Sequence, residues 1–331
     1  MKSKIKKDVI ELVAPSFGCA FFPYDKRLDL SIERLKDEYI IHEGKNCRLN
    51  VGIVGSNTPI ERAKEFMRAY TSDCSIVWSV GGGETMVEIL PYIDFAELKK
   101  VKPKWFIGYS DNTNLTYTLT TINDIETIYG PCFPAFYTEE LDEESEETLN
   151  LLHGKKIFKG FAKYQSMKAD THDLSPLHLD SKKVIKAVNY SKPFSGRLIG
   201  GCLDCLIGLC GTKFDQTKEY IKRHEEDGVI FFLEACDLNS IAYRRALFQL
   251  EQNGWFKDHV KGFLIGRPLH IEEDYAGVTF EDVTKDMLSK YNVPILYDCD
   301  IGHLKPALPL RSGAKAEVTY CDENFIIKYL D

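Results

Sequence analysis

A serine at the junction of an apolar strand and a helix is the first residue of this sequence that could do chemistry. It lies in Gly108-Tyr109-Ser110-Asp111-Asn112. A sharp turn from strand to helix holds a serine hydroxyl clear of the backbone, which is the geometry of a nucleophile elbow. The usual pattern, G-x-S-x-G, has a second glycine where this chain has Asn112. A serine that caps the following helix would leave a similar pattern, so both interpretations of Ser110 stay open.

A nucleophilic serine needs a histidine within hydrogen-bond distance, and that histidine is usually oriented by a carboxylate. Two of the eight histidines, His270 and His303, come directly after apolar strands. Active-site loops of α/β sheets collect at such strand ends. The residues before His303 favour it over His270 as the base, because a strand leads into its loop and Gly302 gives the backbone room. A structural or solvent-facing role for His303 stays open.

Glu234 is a candidate for the orienting carboxylate because it ends the apolar run VIFFLE (229–234). A carboxylate at the end of so apolar a strand is costly to bury without a partner. A histidine or a cation is therefore expected beside it. The alternative is a structural pair with Arg244 or Arg245 on the following helix.

Three consecutive glycines, Gly81-Gly82-Gly83, follow the apolar run CSIVWSV (74–80). Backbone amides without side chains can approach a developing oxyanion or a phosphate closely. The stretch lacks the spacing G-x-G-x-x-G, and the chain contains no G-x-x-x-x-G-K-[ST] sequence. An oxyanion loop and a plain tight turn are the two interpretations that stay open.

The ten cysteines are scattered along the chain, mostly inside apolar runs. Cys202 and Cys205 form a C-x-x-C, but no second pair follows at zinc spacing. The surrounding CLDCLIGLC is typical of a buried helix. We therefore expect reduced, buried thiols rather than a metal or redox site.

The elements that position these residues follow an α/β pattern. Short apolar runs alternate with amphipathic stretches, which predicts a parallel sheet wrapped by helices. At 331 residues about two domains are expected. The periodic pattern of apolar residues fades between the two domains. The predicted division is therefore residues 1–153, a connecting segment 154–195 and residues 196–331. The acidic run EELDEESEE (139–147) is interpreted as a solvated helix face.

Composition excludes several classes of function. The net charge is −8, which disfavours binding to nucleic acid or anionic lipid. Hydrophobic residues make up 44% and charged residues 28%, as in ordinary globular proteins. No uninterrupted apolar stretch reaches 18 residues, and the N-terminal segment is unlike a signal peptide. A cytoplasmic enzyme is the expectation.

Several separate motifs, in order and at the expected spacing, resemble the LD-carboxypeptidase family of serine peptidases over nearly the whole chain. The sequence is most similar to the MccF-like branch, which contains the microcin C immunity protein, because ERAKEFMRAY (61–70) precedes LPYID (90–94). The motifs are Val13-Ala14-Pro15-Ser16, GGG (81–83), ILPYID (89–94), PKWFIGYSDNT (103–113), YGP (129–131), GRLIGGCLDCLIGLCGT (196–212), VIFFLEACD (229–237), GFLIGRP (262–268) and DIGH (300–303).

The resemblance implies a Ser-His-Glu triad of Ser110, His303 and Glu234. It implies an N-terminal Rossmann- or flavodoxin-like domain that carries the nucleophile and a second, mixed α/β domain that supplies Glu and His. The oxyanion would be held by the amides of Asp111 and of Gly82 or Gly83. It also implies a homodimer with no metal or cofactor, and a substrate that is a muropeptide or a microcin-type peptidyl or aminoacyl nucleotide.

Two features depart from the family pattern. Val80 stands where the family turn often has an arginine. The microcin branch is associated with an interdomain tryptophan, but Trp78, Trp105 and Trp255 all lie outside residues 150–195. That segment carries other aromatic residues instead: Phe158, Phe161, Tyr164 and Tyr190.

Three functions follow from these observations. The first is a serine carboxypeptidase that hydrolyses an amide next to a free carboxylate. The second is a noncatalytic peptide-binding protein that keeps the cleft and uses Ser110 only as a helix cap. The third is a nucleotide-dependent α/β enzyme that uses the glycine turn.

Overall fold

The computed structural model describes residues 7–166, 173–270 and 275–331. The strands are β1 (Val9–Val13), β2 (Ile40–Glu43), β3 (Ile76–Ser79), β4 (Trp105–Gly108), β5 (Thr127–Tyr129), β6 (Ile157–Lys159), β7 (Lys163–Tyr164), β8 (Ser181–Lys182), β9 (Lys186–Val188), β10 (Phe194–Cys202), β11 (Val229–Glu234), β12 (Val260–Gly266), β13 (Ile295–Cys299), β14 (Leu310–Ser312), β15 (Lys315–Cys321) and β16 (Asn324–Tyr329). The α-helices are α1 (Tyr24–Leu35), α2 (Pro59–Thr71), α3 (Phe95–Leu98), α4 (Thr113–Asn123), α5 (Glu143–Leu152), α6 (Leu203–Leu209), α7 (Thr217–Arg223), α8 (Ser240–Gln252) and α9 (Phe280–Leu288).

The first sheet has the strand order β14-β5-β4-β3-β1-β2. Strands β1 to β5 pair in parallel, and β14 adds an antiparallel edge. Carboxyl ends of parallel strands meet at one edge of a sheet, where ligand sites form in α/β folds. The glycine turn after β3 and Ser110 after β4 therefore lie side by side, and the predicted α/β class with a parallel N-terminal sheet is confirmed.

The second sheet is mixed, with the order β6-β16-β15-β10-β11-β12-β13-β9. Its centre, β10 to β13, is parallel, and both flanks are antiparallel. Strand β11 is buried along its whole length and ends at Glu234. The loop that carries His303 follows β13, so both residues lie at the carboxyl edge of this second sheet.

The two sheets share their apolar core. One continuous cluster of buried side chains includes Phe66 and Phe106 from the N-terminal part and Phe231 from β11. Tyr117 of α4 stacks on Trp255 with 5.2 Å between ring centroids. Its hydroxyl hydrogen-bonds Thr217 Oγ1 at 2.7 Å. Burying these rings between the two sheets fixes their relative position.

The predicted connecting segment contributes edge strands to the second sheet. Strand β6 pairs with β16, and β9 pairs with β13. Residues 167–172 of this segment, like Met1–Lys6 at the N-terminus, lie outside the described residues. The division at residues 153 and 195 stays a prediction.

Helix starts lie at residues that the sequence itself favours as N-caps: a threonine directly before a proline, and an aspartate or threonine three residues before an acid. Thr58 Oγ1 accepts from the Glu61 amide at the start of α2. Asp94 caps α3 by accepting from the Glu97 amide, and Thr279 forms a complete capping box at the start of α9. Each side chain satisfies an amide that has no partner within its helix.

One acid of the run 139–147 departs from the predicted solvated face. Glu144 is buried on α5 and forms an ion pair with Lys305, with 2.5 Å between Oε1 and Nζ. Its other oxygen accepts from the Ala307 amide at 3.0 Å. The interpretation as a surface helix is therefore wrong for Glu144, which secures the chain just after His303.

A buried carboxylate holds the start of the same loop. Asp300 accepts from Lys183 Nζ at 2.6 Å, from Arg267 Nη2 at 2.7 Å and from the Phe161 amide at 2.8 Å. Lys183 and Phe161 belong to the predicted connecting segment, so this ion cluster joins that segment to the His303 loop.

None of the ten cysteines forms a disulfide. The prediction of burial is wrong for half of them. Cys19, Cys47, Cys74, Cys202 and Cys299 are buried, whereas the others are only partly buried: Cys132, Cys205, Cys210, Cys236 and Cys321. Within the three described ranges, none of the helices is both long enough and apolar enough to span a membrane.

Replacing Gly200 by alanine should destabilise the fold by about 3 kcal/mol or more. Gly200 has φ +151°, and a β-carbon there would lie 1.7 Å from the Phe232 carbonyl oxygen. The free energy of unfolding in urea measures the loss. Gly208→Ala is the control, since space around it is open and alanine favours a helix by about 0.5–1 kcal/mol. Equal stabilities for the two variants would contradict the close approach of β10 to β11.

Asp300→Asn should lower the free energy of unfolding by about 3–5 kcal/mol, because it leaves two buried cations without their counter-ion. Asp286→Asn is the matched control. Asp286 pairs with Arg244 at the surface, where its side chain is 62% exposed, and such pairs contribute about 1 kcal/mol or less. A similar loss in both variants would contradict the anchoring role of Asp300.

Candidate active site

Ser110 occupies a strained turn between β4 and α4. Its φ is +63°, in the left-handed region that non-glycine residues rarely adopt. A short 3-10 turn over Ser110–Asn112 then leads into α4, whose N-cap residue is Asn112. Ser110 therefore does not cap α4, and its conformation is that of a nucleophile elbow.

The structure brings Ser110, His303 and Glu234 together from three separate loops or strand ends. Ser110 Oγ lies 2.9 Å from His303 Nε2. His303 Nδ1 lies 3.0 Å from Glu234 Oε2. When Nδ1–H donates to the carboxylate, Nε2 is free to accept the serine hydroxyl proton. This is the geometry by which a base activates a serine.

Glu234 is 1% exposed and His303 is 9% exposed. Burial by itself would raise the pKa of Glu234, but the charge of His303 and hydrogen bonds from His303, Tyr129 and Cys202 hold it below the ordinary value. The carboxylate therefore stays ionised at neutral pH. The alternative pairing with Arg244 or Arg245 is wrong, because Arg244 pairs with Asp286 and Arg245 is exposed, whereas Glu234 is buried.

Asp111 lies directly after the serine, and its side chain is buried. Desolvation raises the pKa of this carboxyl, although the hydrogen bonds from Ser16 and the Met86 amide lower it in part. Asp111 Oδ2 accepts from Ser16 Oγ at 2.5 Å and from that amide at 2.8 Å. These bonds fasten the elbow to the loops that follow β1 and β3.

The glycine turn lies against the elbow. A β-carbon at Gly82 would lie 3.4 Å from Ser110 Oγ, and one at Gly83 would lie 2.2 Å from Ser16 Oγ. Asn112 Nδ2 donates to the carbonyls of Gly81 and Tyr109, at 3.0 Å each. Asn112, the departure from G-x-S-x-G, thus ties the elbow to the glycine turn.

The backbone beside His303 is shaped around the carboxylate. Gly302 has φ +109°, and a β-carbon there would lie 2.7 Å from Glu234 Oε2. The Tyr109 ring lies 5.1 Å from the His303 ring, and Lys305 Nζ lies 4.0 Å from the centre of the Tyr109 ring. The glycine before His303 is therefore required by a close approach, as its position in the sequence indicates.

The C-x-x-C pair lies beside these residues. Cys205 Sγ donates to the Ser110 carbonyl at 3.6 Å. The hydrogen bond between the two thiols and burial raise the pKa of Cys202. The same hydrogen bond lowers the pKa of Cys205, but burial and nearby carboxylates outweigh it, so that pKa is raised too. Both thiols are therefore protonated donors at neutral pH. Among the residues with described positions, no group of His, Cys, Asp or Glu could hold a metal ion.

The remaining candidates from the sequence have contacts outside the chain of Ser110, His303 and Glu234, or are buried. His270 lies 3.8 Å from Asp237, with both side chains at the surface. Val80, Trp78 and Trp255 are buried. Of the aromatic residues in 154–195, Tyr164 stacks on the Arg267 guanidinium at 4.1 Å.

Tyr129 is a residue of this site that reasoning from residue types missed. Its hydroxyl donates to Glu234 Oε1 at 2.7 Å and accepts from the Ser110 amide at 3.2 Å. The only sequence signal was its place in YGP (129–131), at the end of the strand next to β4. A tyrosine that ends an apolar strand is more often a core residue, so nothing local identified it.

Comparison with known families covers most of the chain. Residues 10–130 match the LD-carboxypeptidase N-terminal domain. Residues 195–318 match the LD-carboxypeptidase C-terminal domain.

Individual relatives are similar over comparable lengths. The chain is 28% identical to the microcin C7 self-immunity protein MccF of Escherichia coli, over 82% of this chain and 79% of that protein. It is 25% identical to a probable murein peptide carboxypeptidase of Bacillus subtilis, over 99% of this chain and 93% of that protein. A solved structure of MccF in complex with glutamyl sulfamoyl guanosine superimposes with a TM-score of 0.81 at 25% identity, covering 98% of this chain and 97% of that one.

The two domain matches, their order and the shared fold agree with the motifs around Ser110, Glu234 and His303. The chain belongs to the LD-carboxypeptidase family and is a serine-type carboxypeptidase with an MccF-like fold.

Proposed function

We propose that this protein hydrolyses an amide bond next to a free carboxylate, with Ser110 as nucleophile, His303 as general base and Glu234 as the orienting carboxylate. The observation that carries the proposal is the chain of two hydrogen bonds, 2.9 Å and 3.0 Å long, from Ser110 Oγ through His303 to Glu234. A serine hydroxyl at its ordinary pKa is a weak nucleophile, and a base at this distance removes that barrier.

In this mechanism His303 takes the hydroxyl proton as Ser110 Oγ attacks the carbonyl carbon. It then delivers that proton to the leaving amine, which departs as the acyl-enzyme forms. Water then attacks the acyl-enzyme while His303 takes its proton, and His303 returns that proton to Ser110 Oγ as the acid product leaves. Glu234 holds the imidazole in the tautomer that accepts at Nε2 and stabilises its charged form. These steps call for no cofactor.

The tetrahedral intermediate carries a negative oxygen. We propose that the backbone amides of Asp111 and of Gly82 or Gly83 donate hydrogen bonds to it. Support comes from the closeness of Gly82 to the serine and from the bonds of Asn112 that hold the turn against the elbow. Such donors contribute most when they are fixed in advance, and loss of one typically costs about 10²- to 10³-fold in rate.

The proposed substrate is a peptidyl or aminoacyl nucleotide of the microcin type, with a muropeptide as the second candidate. MccF has been solved with glutamyl sulfamoyl guanosine, which favours an acidic aminoacyl group on a nucleotide. The similarity to a probable murein peptide carboxypeptidase favours the second. Both contain an amide near a free carboxylate, so the same triad would serve either one.

Ser110→Ala should lower turnover by about 10⁶-fold, because it removes the atom that attacks the carbonyl. Murein tetrapeptide and aspartyl sulfamoyl adenosine are the two probes, with released D-alanine and aspartate read by mass spectrometry. Ser312→Ala is the control, since that serine is buried and its hydroxyl has no hydrogen-bond partner among the described residues. It should retain wild-type turnover.

The pattern of products separates the hypotheses. Release of D-alanine alone indicates a muropeptide substrate, and release of aspartate alone indicates a nucleotide conjugate. If the wild type cleaves neither probe, and Ser110→Ala binds both as tightly as the wild type does, the noncatalytic peptide-binding function is favoured and the proposed triad is contradicted.

We also propose that the protein is a homodimer. Two adjoining loops expose large apolar side chains: Phe21, Phe22, Val51, Ile53 and Val54. The loops are joined by the hydrogen bond from the Cys19 amide to the Cys47 carbonyl. Ile53 is 90% exposed, and exposed apolar surface of this kind is typical of an interface between subunits.

Replacing Ile53 and Phe22 together by aspartate should convert the dimer to a monomer, because charges would be buried at the interface. Light scattering after gel filtration measures the molar mass. Phe248→Asp, which changes a 56% exposed apolar residue on α8, should leave the dimer intact. A wild type that is monomeric at micromolar concentration would contradict the proposal.

A further inference from the structure

We propose that Tyr129 is a positioning residue that couples the Glu234 carboxylate to the backbone of Ser110; this inference rests on the proposed triad. Its hydroxyl lies 2.7 Å from Glu234 Oε1, and the Ser110 amide nitrogen lies 3.2 Å from the same hydroxyl oxygen. One phenol group therefore joins the two ends of the Ser-His-Glu chain by a second route that bypasses His303.

The direction of both hydrogen bonds is fixed by chemistry. A backbone N–H can only donate, so the Tyr129 oxygen accepts from Ser110. The phenol proton is then available to the carboxylate, which can only accept while ionised. Burial and the charge of Glu234 raise the pKa of Tyr129 well above its ordinary value, so the phenol keeps that proton.

The two carboxylate oxygens of Glu234 have separate partners. Oε2 faces His303 Nδ1, and Oε1 faces Tyr129. A carboxylate held at both oxygens cannot rotate away from the imidazole. Its in-plane orientation is therefore set by a residue of the first sheet, although Glu234 itself belongs to the second.

The bond to Ser110 supports the strained elbow. Ser110 is held at φ +63°, which is unfavourable for a residue with a side chain. The Tyr129 hydroxyl gives its amide a buried acceptor. Because the next amide along the chain is that of Asp111, fixing the Ser110 backbone also orients the amide proposed for the oxyanion.

The location of Tyr129 keeps its hydroxyl in place. It ends β5, paired with Gly108 of β4, and is 2% exposed. Its ring packs against Phe232 of β11 and against Tyr109, at centroid distances of 5.5 Å and 6.4 Å. Tyr109, which precedes Ser110, also contacts the His303 ring. The Tyr129 ring is therefore packed next to the residues that carry both the serine and the histidine.

Tyr129→Phe removes the hydroxyl and keeps the ring. We expect kcat to fall by about 10- to 100-fold with KM changed by less than about twofold, because the lost bonds act on the triad and not on bound substrate. Whichever of murein tetrapeptide and aspartyl sulfamoyl adenosine the wild type cleaves is the substrate. Tyr243→Phe is the matched control, since it removes a buried hydroxyl that bonds Thr284 Oγ1 at 3.0 Å, away from the site.

The pH profile provides a readout that a packing defect would not change. The groups that face Glu234 are His303, Tyr129, Cys202 and Cys205. Loss of the Tyr129 donor raises the pKa of Glu234, so its carboxylate stabilises the protonated imidazole more strongly. The coupled pair of Glu234 and His303 therefore loses its proton-accepting form at a higher pH. The acid limb of kcat/KM should therefore move to higher pH in Tyr129→Phe and stay in place in Tyr243→Phe.

If Tyr129→Phe lowers the Tm more than Tyr243→Phe does, 3-fluorotyrosine at position 129 replaces it as the test. Fluorine keeps the ring and makes the phenol a stronger donor, so the acid limb should move to lower pH. A kcat and an acid limb that match the control in Tyr129→Phe, or an acid limb that fluorotyrosine leaves unchanged, would overturn the proposal.

Failure of this inference is distinguishable from failure of the proposed function. If Ser110→Ala is inactive while Tyr129→Phe behaves like the control, the triad stands and the role of Tyr129 is wrong. If Ser110→Ala retains wild-type turnover, the triad itself is wrong, and the role of Tyr129 is overturned with it.

Discussion

Glu234 carries a negative charge at the end of a strand whose other side chains are all apolar and buried. Such a charge is tolerated only where several donors surround it. Those donors come from three elements: the loop after β13 supplies His303, β5 of the first sheet supplies Tyr129, and the end of β10 supplies the Cys202 thiol. The charge is stable only when both sheets are docked, so the fold and the proposed catalytic centre depend on the same contacts.

Close contacts also hold the two sheets together near Ser110. The Cys202 amide donates to the hydroxyl oxygen of Thr113, at the start of α4, at 3.0 Å. A β-carbon at Gly201 would collide with the Thr113 side chain. Further away, Tyr117 and Trp255 stack across the shared core. A shift of one sheet would lengthen the bond from Ser110 to His303, and misplacement of about 1 Å is enough to lower a reaction rate severely.

The His303 loop is held on both sides by buried ion pairs. Asp300, before it, binds Lys183 and Arg267, and Lys305, after it, binds Glu144. Breaking a buried pair leaves a charge without a partner, which is more costly than losing an ordinary contact. The loop thus has one well-defined position, and the imidazole between these anchors faces both the serine and the carboxylate.

The sequence by itself determined the α/β class, the helix starts at Thr58, Asp94 and Thr279, and the strand ends where Ser110 and Glu234 lie, because these depend on local periodicity and local hydrogen bonds. Reasoning from residue types favoured His303 over His270 but left a structural role for it open, and the family resemblance implied that it is the base. Only the tertiary structure decided the partners of Tyr129, Glu144 and Asp300. Tyr129 meets Glu234 across 105 positions, Lys183 meets Asp300 across 117, and Glu144 meets Lys305 across 161. Contacts between residues so far apart leave no regular spacing in the sequence, because only tertiary packing brings them together.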